Sequence, residues 1–164
     1  MKPIGLLMGI ATATTLSLAA CGGTAATPGG SAAASPSSAA LIHTASIKVG
    51  TKTEPVLKNA KGLTLYYFTP DTATTVACTG GCASTWPPLL STSGTPTSDP
   101  ALPGRLSVLN GANGSQVLYN GHPLYTYSKD GDSGDAYGQG IGGKWFAATP
   151  DLAAAAASPP PYNY

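Results

Sequence analysis

Charge is scarce in this 164-residue chain, where eight Lys or Arg and seven Asp or Glu make up only 9% of the sequence. No cluster of Lys and Arg occurs. The electrostatic term that drives nucleic-acid binding is therefore missing, and a polybasic contact with anionic lipid is equally unsupported. Histidine, present twice, and cysteine, present three times, are rarer still. A zinc site takes about three or four such ligands, and His43 lies in a low-complexity stretch far from the others. Covalent haem attachment wants Cys-x-x-Cys-His, whereas Cys78 and Cys82 are spaced one residue wider and Ala83 follows. No Gly-x-Ser-x-Gly elbow supports a hydrolase. Long apolar runs are also lacking: the stretch over residues 4–18 falls short of the roughly 20 residues a membrane-spanning helix needs. Thr12, Thr14, Thr15 and Ser17 interrupt it.

What the N-terminus does have is the layout of a secretory signal, with Lys2, then the short apolar stretch, then small residues. Its ending, Leu18-Ala19-Ala20-Cys21-Gly22, resembles the lipobox of bacterial lipoproteins. That resemblance implies a diacylglyceryl thioether on Cys21, loss of residues 1–20, and Cys21 as the first mature residue. The competing reading is an ordinary signal peptide cut near Ala20, with Cys21 left as a free thiol. Two acyl chains meet the two-signal requirement for stable anchoring, because each buried methylene contributes about 0.8 kcal/mol. The chain is expected to be extracytoplasmic and lipid-anchored to the cell membrane or outer membrane. Loss of Lys2 leaves seven basic against seven acidic residues, so the mature chain is formally neutral.

With Cys21 acylated, Cys78 and Cys82 remain as an even pair in a compartment where disulfides persist, and they are expected to bridge each other. Gly80 and Gly81 supply the backbone freedom that so small a ring needs. The loop is short, so its chain-entropy contribution is only about 2 kcal/mol.

Composition divides the rest. Residues 21–45 are nearly all Gly, Ala, Ser, Thr and Pro and read as a flexible stalk. Residues 151–164, with an Ala run and Pro159-Pro160-Pro161-Tyr162, read as a disordered tail. Residues 46–150 are enough for one small domain, and it is internally duplicated. A shift of 59 positions lines up Val49 with Val108, Gly62 with Gly121, Leu65 with Leu124, Tyr66 with Tyr125, Phe68 with Tyr127, Asp71 with Asp130 and Trp86 with Trp145. Upstream, Val56-Leu57-Lys58-Asn59 matches Val117-Leu118-Tyr119-Asn120, which makes the first hairpin loop two residues longer. Asn120-Gly121 is the strongest short hairpin signal. The strand after it alternates by twos, with Thr64, Tyr66 and Phe68 on one face and Leu63, Leu65 and Tyr67 on the other. In the second copy Pro123, Tyr125 and Tyr127 repeat the first face, and His122, Leu124 and Thr126 the second. Only Leu65 and Leu124 agree on the second face, so the shared aromatics are expected to form the main core contact. The fold class that follows is mostly β: a small duplicated antiparallel domain of two pseudo-symmetric β-meander repeats, about 46–90 and 105–150. Helix is limited to short turns, such as one over residues 82–86 that Pro87 ends.

Tyr66, Phe68 and Asp71, and again Tyr125, Tyr127 and Asp130, fit Tyr-x-aromatic-x-x-Asp. Together with the lipobox and the Cys78 to Leu89 segment, the domain resembles the bacterial secreted-repeat lipoproteins that carry this motif. The resemblance implies no activity, because none is established for that family. The second copy lacks the two cysteines and the Pro-Pro, and places Tyr137 and Ile141 opposite Cys78 and Cys82.

Several residues invite chemistry. The cysteines read as a structural staple, since packing residues stand in their place in the other copy; a redox centre would want a cation or helix N-terminus beside a thiol. His122 reads as a solvent-exposed residue at the turn edge and is the first choice of ligand if haem or copper were bound. Asp130, Asp132 and Asp135 offer hard oxygens for calcium, but the spacing fails the EF-hand template, and Asp71 and Asp130 are expected to accept backbone N–H bonds in the turn. The six shared aromatics, Trp86 and Trp145 among them, could line a groove for a flat ligand, but aromatics at strand period are more often core. The sequence thus points to a non-catalytic envelope lipoprotein that binds an envelope protein or small molecule or plays a structural part. The rival is an extracytoplasmic electron-transfer protein using the Cys78–Cys82 pair or a bound haem, flavin or copper.

Overall fold

The computed structural model describes residues 40–92 and 94–155. The leader over 1–20, Cys21, most of the stalk and the end of the tail lie outside the described residues. Among the described residues the elements are β1 (Ile42–Val49), β2 (Lys52–Asn59), β3 (Tyr66–Phe68), α1 (Gly81–Thr85), β4 (Ser98–Asp99), β5 (Leu106–Gly111), β6 (Gly114–Tyr119), β7 (His122–Pro123), a 3-10 turn (Ile141–Gly143) and β8 (Trp145–Ala147). The domain is mostly β with short helical turns, as expected. β1–β2 and β5–β6 are antiparallel hairpins, and β7 returns along β6. Asn120 and Gly121 carry the turn into β7 at φ of 48° and 83°, the positive pair that a type I′ reversal demands. Its counterpart in the first repeat turns on Gly62 at φ 82°.

The repeats align differently from the sequence match just upstream of these turns. Leu65 N–H donates to the Leu57 carbonyl, and Leu124 N–H to that of Val117, so Leu57 corresponds to Val117 and Asn59 to Tyr119. The first loop is one residue longer, where the sequence match implied two. That match was drawn by a shared Val-Leu pair, but burial here does not require identity: Gln116 takes the place of Val56 by donating its side-chain amide to the Leu124 carbonyl. Val49 and Val108 are not equivalent either. Val49 pairs with Lys52 at a hairpin tip, whereas Val108 pairs with Val117 in mid-strand.

The two repeats are interleaved. β3 and the extended segment around Tyr125 meet antiparallel at one residue each, Tyr66 and Tyr125, which exchange backbone bonds of 2.8 and 2.9 Å. Outward from this point each strand pairs with the end of the other repeat. β3 runs against β8, with Tyr66 opposite Ala147 and Phe68 opposite Trp145. Tyr125 bridges Pro88, and Ser128 N–H donates to the Thr85 carbonyl just as Thr69 N–H donates to that of Lys144. A pseudo-two-fold axis therefore passes between Tyr66 and Tyr125.

Both faces of these central strands are covered. One cluster holds Tyr66, Tyr125, Tyr127, Trp86, Trp145, Val49, Val56 and Cys78; the other holds Leu65, Leu124, Ile42, Leu57, Val117, Tyr119 and Leu89. The second face, where only Leu65 and Leu124 are shared between the copies, is also a full core, because residues from both hairpins close over these two leucines. Ile42 belongs to it and is completely buried. β1, with His43 in it, therefore begins inside the 21–45 stretch expected to be stalk throughout, and pairs there with β2 and in parallel with β4; low-complexity neighbours mask Leu41 and Ile42 in the sequence. Residues 151–155, expected to belong to the tail, are likewise bonded to the domain. Asn120 donates its side-chain amide to the Leu152 carbonyl, and Ala155 N–H donates to the Asn120 carbonyl at 2.8 Å.

Candidate functional site

The motif residues converge on the pseudo-two-fold axis. Strand alternation turns Tyr66 and Tyr125 into the same cluster, where each hydroxyl crosses to the other repeat. Tyr66 donates to Asp130 Oδ2 and Tyr125 to Asp71 Oδ2, each at 2.6 Å. The remaining oxygens face backbone: Asp71 Oδ1 accepts from Ala77 N–H at 2.7 Å and Asp130 Oδ1 from Tyr137 N–H at 3.1 Å. The aspartates do accept backbone N–H bonds, but from the following loop and not, as expected, from the turn itself, and the reciprocal tyrosine bonds complete them. The motif spacing becomes intelligible: the tyrosine reaches across, the aromatic two residues on packs beside the axis, and the aspartate is held by a turn at the distance that receives the partner tyrosine.

On the axis the rings form a column. Trp86 and Trp145 stack with centroids 3.8 Å apart and planes within 1°, Phe68 caps Trp145 at 4.3 Å and Tyr127 caps Trp86 at 4.3 Å. Tyr66 and Tyr125 close the sides edge-on against Trp86 and Trp145. A groove for a flat ligand does not form here, since the rings fill it with one another. Gly138 is part of the fit, because a Cβ there would lie 2.7 Å from the Tyr66 ring.

Burial is the dominant electrostatic influence. It pushes the carboxyls of Asp71 and Asp130 above the ordinary aspartate range, against the opposing pull of the tyrosine and backbone bonds. It also raises both phenols, which the adjoining carboxylates raise further. Folded values above unfolded ones mean that the contribution of these aspartates to stability is complete below about pH 3.9 and is lost as pH rises through the raised folded values. The melting temperature of the native domain, minus that of an Asp71→Asn/Asp130→Asn variant, should therefore increase on acidification across that window. A difference that shrinks on acidification would contradict the raised values.

The cysteines are bridged, with Cα atoms 5.2 Å apart. The bridge ties buried Cys78 to α1, the turn that delivers Trp86 to the column. Of the residues in the corresponding places, Ile141 packs against the same cluster, but Tyr137 is 66% exposed and does not pack as expected. A Cys78→Ser/Cys82→Ser protein should fold and lose about 2 kcal/mol in urea titration.

The other sequence candidates separate. Asp132 and Asp135 turn onto their own loop, where Asp135 Oδ2 accepts from Gly131 and Asp132 N–H, each at 2.9 Å. Among the described residues no three His, Cys, Asp or Glu gather as a metal cluster. His122 is half-buried, where solvent exposure was expected: its ring lies against Tyr67, and Nε2 donates to the Ala153 carbonyl of the retained tail segment. Burial lowers its pKa. Lys58 escaped notice in the sequence, yet it is 2% exposed and donates to Thr64 Oγ1 and the Ser133 carbonyl, pinning the Asp132–Asp135 loop of the second repeat to the hairpin of the first. A hollow of about 490 Å³ beside β1 has Lys58, His43, Ser46 and Ser133 in its lining, and none of the motif residues.

The family described as a secreted repeat of unknown function matches the chain twice, over residues 49–90 and 107–149. The chain belongs to this family. The two matches follow the duplication, one carrying Tyr66 and the other Tyr125, and membership places the domain outside the cytoplasm. No curated protein and no solved structure matches the chain.

Proposed function

We propose that this secreted repeat is a membrane-tethered envelope lipoprotein, anchored through acyl chains on Cys21, whose domain is a non-catalytic binding or structural module. One observation carries the non-catalytic part: each phenol and carboxylate of Tyr66, Tyr125, Asp71 and Asp130 is engaged by another group of the same domain. A site that turns over substrate needs polar groups aimed at a space a reactant can enter, whereas these are aimed at each other. The lipobox around Cys21 supports the anchor, and the formal neutrality of the mature chain makes an uncharged or mixed-charge partner, a protein or small molecule, the better fit than a polyanion.

The anchor is tested by fractionation. The native protein should sediment with membranes and resist salt, and mass spectrometry should find acylated Cys21 at its N-terminus; Cys21→Ala should be unacylated and leave the membrane fraction. An unacylated native N-terminus would remove the tether. A visible absorption band in the purified protein would replace the non-catalytic module with an electron-transfer carrier of haem, flavin or copper.

A further inference from the structure

Packing accounts for the burial of the aromatic column and leaves one of its chemical properties unused. Indole and phenol are the side chains of this cluster most readily oxidised by one electron. Trp86 and Trp145 are in face-to-face contact at 3.8 Å, and each has a tyrosine ring at its edge, Tyr66 at 5.5 Å and Tyr125 at 5.2 Å. A phenol yields an electron easily only when its proton can leave with it. Tyr66 and Tyr125 are fully buried, so bulk water cannot take that proton, but a carboxylate oxygen lies 2.6 Å from each hydroxyl. Packing alone requires no base at that position. Electron donor, relay and proton acceptor are thus present twice, related by the pseudo-two-fold axis.

We propose that the Tyr66–Asp130 and Tyr125–Asp71 pairs, fed by the Trp86–Trp145 stack, form a trap for oxidising equivalents delivered by strong one-electron oxidants such as inorganic radicals or high-valent metal complexes. The oxidant takes one electron from an indole and is itself reduced by one, leaving an indole radical cation. That indole then takes one electron from the neighbouring phenol while the phenolic O–H bond breaks and its proton joins the carboxylate Oδ2. The products are a restored tryptophan, a neutral phenoxyl radical and a protonated aspartate, with charge and atoms conserved. The trap is stoichiometric and does not depend on the anchor or on the partner of the domain, so its failure would leave the proposed function standing.

Pulse radiolysis of the full chain tests it, with azide radical as the oxidant and transient absorption as the readout. The background carries Tyr67→Phe, Tyr127→Phe, Tyr137→Phe, Tyr162→Phe and Tyr164→Phe, since Tyr137 is 66% exposed and open to direct attack, Tyr67 is partly exposed, and Tyr127 stacks on Trp86 at 4.3 Å. The indolyl signal should decay into a phenoxyl signal at a rate independent of protein and buffer-base concentration. The conversion rate should fall by about half in Tyr66→Phe or Tyr125→Phe, because the two stacked indoles share the oxidising equivalent and still reach the other phenol; phenoxyl yield should fall several-fold in the double variant, and Asp71→Asn/Asp130→Asn should slow the conversion. An undiminished phenoxyl yield in the folded double variant would overturn the proposal. So would a rate proportional to buffer base, measured with both tyrosines in place, which decides the matter even where the double variant does not fold.

Discussion

Severed between Ser91 and Arg105, the domain is expected to yield two halves that are unfolded as monomers and fold only when paired. The reason lies in where each strand finds its partner. β3 of the first repeat runs against β8 of the second, and Tyr125 of the second bridges Pro88 of the first. A lone half has its central strand unpaired on both edges, its aspartate without the tyrosine that crosses to it, and one tryptophan facing water in place of the other. Chains of this size are marginal even with a complete core, burying only about 60% of their unfolded surface at 60 residues. Circular dichroism of each purified half should show a disordered monomer, and mixing should restore β structure and bury tryptophan fluorescence. A half that folds as a monomer in sedimentation would mean that its strands can close on themselves, contrary to the interleaving.

The same interleaving marks the limit of what the sequence disclosed. Alternation in the strand after each turn showed which residues share a face, Asn120-Gly121 announced the reversal, and the spacing of Tyr66, Phe68 and Asp71 against Tyr125, Tyr127 and Asp130 revealed the duplication. It could not show that Tyr66 bonds Asp130 and not Asp71. In a tandem repeat every contact within one copy has a counterpart between copies using the same residue types, and periodicity is blind to the difference. Chain geometry decides it: Asp71 follows a turn closed by its own N–H to the Phe68 carbonyl, which carries the carboxylate off the strand bearing Tyr66 and toward the opposite one. Val56 and Lys58 were misplaced for another reason. The buried positions of the second hairpin tolerate Gln116 because its amide finds a carbonyl, so apolar identity misled the alignment by one residue. His122 was read as exposed because nothing in a run of alanines signals that residues 151–155 return to cover the turn.

Trp145→Ala and Trp86→Ala should each cost about 3–5 kcal/mol, the range for deleting a large aromatic side chain from a packed core. Set against total stabilities of about 5–15 kcal/mol for ordinary domains, and toward the low end for one this small, either change should leave much of the population unfolded at moderate temperature. The two should have similar effects, because each ring has one indole on one side, a capping ring on the other and a tyrosine at its edge. Their effects should not add. Removing the first forfeits the stack that the second would otherwise lose, so a double-mutant cycle should return a coupling of about 0.5–1.5 kcal/mol, as for aromatic pairs elsewhere. Tyr137→Ala is the control; its ring is 66% exposed, and it should stay within about 0.5 kcal/mol of native. Urea titration followed by far-ultraviolet circular dichroism reads the native protein and all four variants on one scale. Were Trp145→Ala to cost no more than Tyr137→Ala, the column would not be what joins the repeats, and the reciprocal Tyr–Asp bonds would have to hold the axis without it.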